Sequence, residues 1–145
     1  VLDRSIAAGH FIVPTAAYRD EGTSYHYAPA SDYIDIPTAA ELSAAFDAIS
    51  MPHVQGKTWT TDAIYRETRD SLAKRRAEGC ITVEMECASL MAVGQFRKKA
   101  VYQFLYAEDC LDSVEWDSRI MGKQPATAYE GYLDVALECA IRVKG

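Results

Sequence analysis

Residues 80–99 read CITVEMECASLMAVGQFRKK, and the change of rhythm inside this stretch sets the fold class. Cys80 to Val83 is a short run rich in β-branched residues, which predicts a strand. From Glu86 the apolar positions Ala88, Leu90, Met91 and Phe96 fall at helical spacing, and Arg97, Lys98 and Lys99 suit the negative end of a helix dipole. A strand that passes directly into a helix, with two carboxylates and a methionine at the join, is the signature of a sheet covered by helices.

The same alternation runs outward in both directions. Upstream, residues 11–17 (FIVPTAA) predict a strand followed by a polar loop that begins at Tyr18. Thr38 and Glu41 form a capping pair for a helix running to about Ser50. Residues 53–61 (HVQGKTWTT) predict a further strand, and residues 64–78 a helix stopped by Gly79. Downstream, residues 100–107 (AVYQFLYA) form a near-continuous apolar run of the kind expected for a central strand buried on both faces. Pro125 opens a last helix whose apolar residues Tyr129, Tyr132, Leu133, Ala136, Leu137, Ala140 and Ile141 are expected to make one stripe. The expectation is a single α/β domain over residues 1–145, a mixed sheet flanked by helices.

Composition narrows the function. The chain has 145 residues, with 21 acidic and 15 basic side chains and a net charge of -6, so it carries no basic footprint for nucleic acid. No run of eighteen apolar residues suggests a membrane partner. Cys80, Cys87, Cys110 and Cys139 lie far apart without a Cys-x-x-Cys pair, which predicts reduced thiols and a cytoplasmic protein. His10, His26 and His53 are too scattered for a metal set, so no metal is expected. There is no phosphate-loop or dinucleotide glycine motif, and no organic cofactor is expected.

The chemistry concentrates at Val83-Glu84-Met85-Glu86-Cys87-Ala88-Ser89-Leu90. A carboxylate at a strand-to-helix junction can accept two hydrogen bonds from a vicinal diol while a thioether packs on the apolar face of a sugar. The alternative for Glu86 is a first-turn acid placed only for the helix dipole.

VEMECASL resembles the Glu-Met-Glu signature of the nucleoside phosphorylase and uridine phosphorylase family. IVPTAAYRDEGTSYHYAP (residues 12–29) is similar to a segment that follows an early strand in uridine phosphorylases. GKTWTTDAIYRET (residues 56–68) is similar to the family segment ending in Asp-x-Phe-Tyr. The resemblance implies an α/β sandwich that cleaves the N-glycosidic bond of a nucleoside, with phosphate as co-substrate in phosphorylases or water in nucleosidases.

Carried over, Met85 and Glu86 hold the ribose, and Glu84 lies beside the base or sugar. Trp59 occupies the place of an aromatic that faces the base, or is plain core. Asp109, after the run YQFLYA, matches an aspartate that protonates the leaving base in purine-acting members, with Glu108 and Asp112 as competitors and Arg119 as its arginine. Where pyrimidine-acting members read the base with a Gln and an Arg, this chain has Arg66, Glu67, Thr68 and Arg69 in a shorter arrangement.

The family's N-terminal half, with its glycine-rich phosphate loop, has no counterpart before Val1. The chain is therefore expected to be the C-terminal portion of a longer phosphorylase domain, with the N-terminal half as a partner, and to form a homo-oligomer, trimer or hexamer. A non-catalytic nucleoside-binding fragment is the reading from another class.

Overall fold

The structure, a computed structural model, describes residues 1–143. Its backbone is a five-stranded mixed sheet. The strands are β1 (Phe11–Asp20), β2 (Tyr33–Asp35), β3 (His53–Thr61), β4 (Cys80–Glu84) and β5 (Leu105–Tyr106). Four stand in the order β2-β1-β3-β4, with β1, β3 and β4 parallel and β2 antiparallel to β1, while β5 pairs antiparallel with the start of β1. Four helices complete the fold, α1 (Ala39–Ala48), α2 (Arg69–Ala77), α3 (Cys87–Phe96) and α4 (Ala126–Ala140).

Strand alternation divides the core between the two faces. Phe11, Val13 and Ala17 of β1 point toward α1, α3 and α4, where they meet Leu42, Phe46, Ala88, Met91, Val135 and Cys139. Trp59 and Cys80 point the other way, into a cluster with Leu2, Leu72 of α2 and Leu111. Helices on both faces of a mixed sheet are the architecture the sequence predicted. β3 has the predicted bounds, and Gly79, at φ +92, stops α2 in the left-handed region where glycine is favoured.

Five local expectations are corrected. The run 100–107 is not a central strand, because only Leu105 and Tyr106 join the sheet. β5 pairs with β1 only at Phe11 and Ile12, while β2 pairs with β1 further along at residues 16–18. The residues before β5 spend their polarity and bulk on the helical layer instead. The Val101 carbonyl accepts from Thr38 Oγ1 at 2.6 Å, Tyr102 donates to Glu41 at 2.6 Å, and Phe104 stacks edge-on to Phe11 and Phe46. Thr38 therefore does not cap α1 with its side chain.

The polar segment after residue 17 is not all loop: β1 continues to Asp20, and β2 lies further along. The helix expected over 64–78 is split into a 3-10 turn at Ile64–Arg66 and α2, because Thr68 Oγ1 accepts the Ser71 amide at 3.3 Å and restarts the helix there. In α4, Tyr132, Val135 and Cys139 pack inward, whereas Tyr129, Leu133, Leu137 and Ile141 remain exposed, so the apolar residues form two stripes.

Candidate functional site

β1, β3 and β4 end side by side, with Arg19 paired to Thr60 and Thr60 to Glu84. Ligands of open α/β sheets sit outside this carboxyl edge. Here β4 passes into α3 through two residues, Met85 and Glu86.

Glu84 holds the junction together. Its carboxylate accepts Thr58 Oγ1 at 3.1 Å, Thr60 Oγ1 at 2.5 Å, the Glu86 amide at 2.8 Å and the Cys87 amide at 2.6 Å. Thr60 Oγ1 in turn accepts the Ala88 amide at 3.0 Å. Side chains of the sheet thus satisfy the amides at the start of α3 that a helix leaves without internal partners. Burial is the largest influence on Glu84 and pushes its carboxyl above the usual carboxylate range, against the pull of its four donors.

The consequence falls on Glu86. It occupies the N-cap position of α3, yet its side chain makes no capping bond, because Glu84 already binds the first amides. Its carboxylate is exposed and makes no hydrogen bond or ion pair among the described residues. Met85, beside it, is 46% exposed. An uncommitted carboxylate and an exposed thioether stand together at the ligand edge of the sheet.

A second carboxylate braces the same helix from the end of β1. Glu21 is buried and accepts Ser89 Oγ at 2.8 Å and the Ser24 amide at 3.0 Å. Burial raises its pKa, but the bonds from Ser24 and Ser89 outweigh it, so the carboxyl sits below the usual range. Sequence reasoning missed Glu21, Thr58 and Thr60. The two threonines at period two in β3 were the available signal, since they had to share a face.

The other predicted residues lie elsewhere. Register pairs Trp59 with Val83 and Thr60 with Glu84, so the indole is on the sheet face opposite Glu84. Trp59 is 2% exposed and donates from Nε1 to Asp20 at 2.9 Å. A cavity of about 200 Å3 lies beside it, lined by Tyr18, Asp20, Ser71, Lys74 and Arg75.

Asp109 follows β5, where its Oδ2 accepts Trp116 Nε1 at 2.8 Å. Burial, and then the negative charge of Asp109, push the Glu67 carboxyl above the usual range. Arg119 turns away from Asp109, donating to the carbonyls of Ile6 at 2.6 Å and Arg4 at 3.2 Å and pairing with Asp117 at 3.7 Å. The structure thus brings Glu84, Met85 and Glu86 together and does not join Asp109 to Arg119. Among the described residues, no group of three or more His, Cys, Asp or Glu side chains is arranged to hold a metal ion.

The structure is an α/β domain, a mixed sheet between helices with a carboxylate-braced strand-to-helix junction at its carboxyl edge. A sequence profile described as the phosphorylase superfamily matches residues 1–132, and the chain belongs to that superfamily. Its fold is that of the nucleoside phosphorylases and nucleosidases.

The purine nucleoside phosphorylase of Toxoplasma gondii in complex with immucillin-H superposes with a TM-score of 0.74 at 18% identity, over 96% of this chain and 58% of that one. A P. knowlesi homologue of P. falciparum PNP gives 0.72 at 19% identity, over 97% and 57%. An AMP nucleosidase from Bacteroides thetaiotaomicron gives 0.68 at 24% identity, over 95% and 54%. An uncharacterized protein of Acanthamoeba polyphaga mimivirus is 25% identical over 114 residues, 77% of this chain and 43% of that protein. The chain spans about half the length of the proteins it matches. No described helix is long and apolar enough to cross a membrane.

Proposed function

We propose that the chain is the nucleoside-holding portion of an enzyme that cleaves the N-glycosidic bond of a nucleoside, with phosphate as acceptor, yielding free base and ribose 1-phosphate. The observation that carries this reading is the Glu86 carboxylate, relieved of capping by Glu84 and left beside exposed Met85 at the carboxyl edge of the sheet. Such a carboxylate accepts both hydroxyls of a ribose diol, and the thioether covers the sugar's apolar face. Glu84 acts behind it by fixing the start of α3.

In the reaction, the bond between C1′ and the base nitrogen breaks, its electron pair goes to the base, and a phosphate oxygen bonds to C1′. Positive charge develops on the sugar and negative charge on the base. A carboxylic acid that gives its proton to the leaving base lowers the barrier, typically by about 10²–10⁴-fold. Asp109 is the candidate for that proton, and the family resemblance rather than contact with Glu86 supports it. We place the phosphate site in a preceding half of a longer polypeptide, consistent with a chain that spans about half of its relatives. The four buried free cysteines support a reducing cytoplasm.

Hydrolysis is the second reading, favoured by the likeness to an AMP nucleosidase. The test is chromatographic detection of free base from inosine, adenosine and uridine, with and without phosphate, beside calorimetric binding of the same nucleosides. Phosphate-dependent release supports phosphorolysis, and release in its absence supports the nucleosidase. Binding without release leaves a non-catalytic nucleoside module. Neither binding nor release by the chain or by a longer polypeptide containing it overturns the proposal.

A further inference from the structure

Arg75, on the side of α2 that meets the sheet, is 4% exposed, and its guanidinium is only partly used. Nη2 donates to Glu78 at 3.0 Å, and Cζ lies 3.5 Å from the centroid of the Tyr18 ring. Nη1 is buried and has no hydrogen-bond partner among the described residues. A buried donor without a partner is uncommon in a folded chain, and a guanidinium selects oxyanions.

The cavity of about 200 Å3 beside Trp59 is lined by this arginine and by Lys74, Tyr18 and Asp20. Tyr18 and Trp59 are register partners on β1 and β3, and Asp20 stands two residues beyond Tyr18 on the same face of β1. The Lys74 ammonium and the Tyr18 hydroxyl make no hydrogen bond or ion pair among the described residues. Asp20 is already engaged, since its Oδ2 accepts Trp59 Nε1 at 2.9 Å and Thr61 Oγ1 at 3.1 Å. The wall therefore carries two cations and one carboxylate, and a single negative charge balances it.

We propose that this cavity binds a small, singly charged carboxylate, on the sheet face opposite Glu84. Arg75, Lys74 and the Tyr18 hydroxyl donate to it through charge-assisted hydrogen bonds, and Asp20 disfavours a doubly charged anion such as phosphate. Two sources supply this chemistry, a free organic acid and an Asp or Glu side chain from elsewhere in a longer polypeptide. The inference is independent of the catalytic proposal.

Titration of acetate and propionate, followed by indole fluorescence, is the test. The chain has two tryptophans, so Trp116→Phe leaves Trp59 as the reporter on the cavity wall. The expected result is a saturable change, with phosphate and sulfate binding more weakly and inosine not competing. Lys74→Gln and Tyr18→Phe should each raise Kd about threefold, and together about tenfold, with the ligand-free melting temperature unchanged. Arg75→Met should abolish binding, and the other two variants decide the matter even if that one misfolds. Binding kept by a longer polypeptide containing this chain assigns a free acid. Binding lost there, with Lys74→Gln now lowering its melting temperature, assigns a side chain, whereas loss without that effect overturns the proposal. So does the absence of a saturable response, binding that the variants leave unchanged, tighter binding of phosphate than of acetate, or displacement by inosine.

Discussion

Thr60 links Glu84 to Ala88: one hydroxyl donates to the carboxylate at 2.5 Å and accepts the helix amide at 3.0 Å. The side chain is fully buried, so neither bond can be replaced by water without opening the structure. Thr60→Val keeps the shape, removes a donor from Glu84 and leaves the Ala88 amide unsatisfied. The expected loss is about 1–3 kcal/mol of stability, measured by urea unfolding, with Thr60→Ser close to wild type. A Thr60→Val chain as stable as wild type would show that α3 does not depend on this link.

Glu86 should behave oppositely. Its exposed carboxylate has no partner to lose, so Glu86→Gln should change stability by no more than about 0.5 kcal/mol. Nucleoside affinity should fall at least tenfold in the same variant. Titration calorimetry beside a thermal melt separates the two effects, and unchanged affinity would remove Glu86 from the ribose site.

Trp59→Phe should lower stability and spare nucleoside binding. The change deletes the indole N–H that bonds Asp20, at a cost of about 1–2 kcal/mol. The ring faces α2, away from the Glu84 face, so affinity should stay within twofold. A large loss of affinity with unchanged stability would return Trp59 to the base pocket.

Gly94 lies where α3 meets the coil before β5. A Cβ added there would fall 2.5 Å from Val101 Cγ2 and 3.2 Å from the Lys99 carbonyl oxygen. Gly94→Ala should therefore destabilise the chain by about 1–3 kcal/mol through overpacking. Val101→Ala in the same chain should recover part of the loss, and a double variant no better than the single would place the strain on the backbone contact.

Acid sensitivity should depend on Glu21. Its pKa is lower in the folded chain than in the unfolded one, so the unfolded state binds the proton more readily. Its contribution is present above the unfolded carboxylate value of about 4.3 and is lost as pH falls through the folded value. Glu21→Gln should flatten the decline of melting temperature below about pH 4.5. An unaltered acid limb would assign that decline to other carboxylates.

What the sequence disclosed depended on whether the signal was local. Residues 53–61 and 86–99 carry their own periodicity, and β3 and α3 formed within them. The stretch 100–107 is apolar enough for a central strand, but an apolar run does not say which neighbour it will find. β2 pairs with β1 at residues 16–18, β5 pairs with it only at Phe11 and Ile12, and the coil before Leu105 turned to the helices. In the candidate site, the positions of Met85 and Glu86 were legible because a strand-to-helix join needs few residues. The embrace of Glu84 by Thr58 and Thr60 was not, since it depends on the register of two strands more than twenty residues apart.

The alternation Thr58-Trp59-Thr60 also makes β3 a segment of fixed length. Deleting one residue ahead of it would turn the indole toward the start of α3 and the hydroxyls toward α2, exchanging an oily wedge for the groups that hold the helix in place. The turn at Ile64–Arg66 lies beyond the pairing with β4, and Tyr65 there is 98% exposed. Evolution or an engineer could lengthen this protein after β3 with little penalty, while a single codon lost within the strand would undo both layers together.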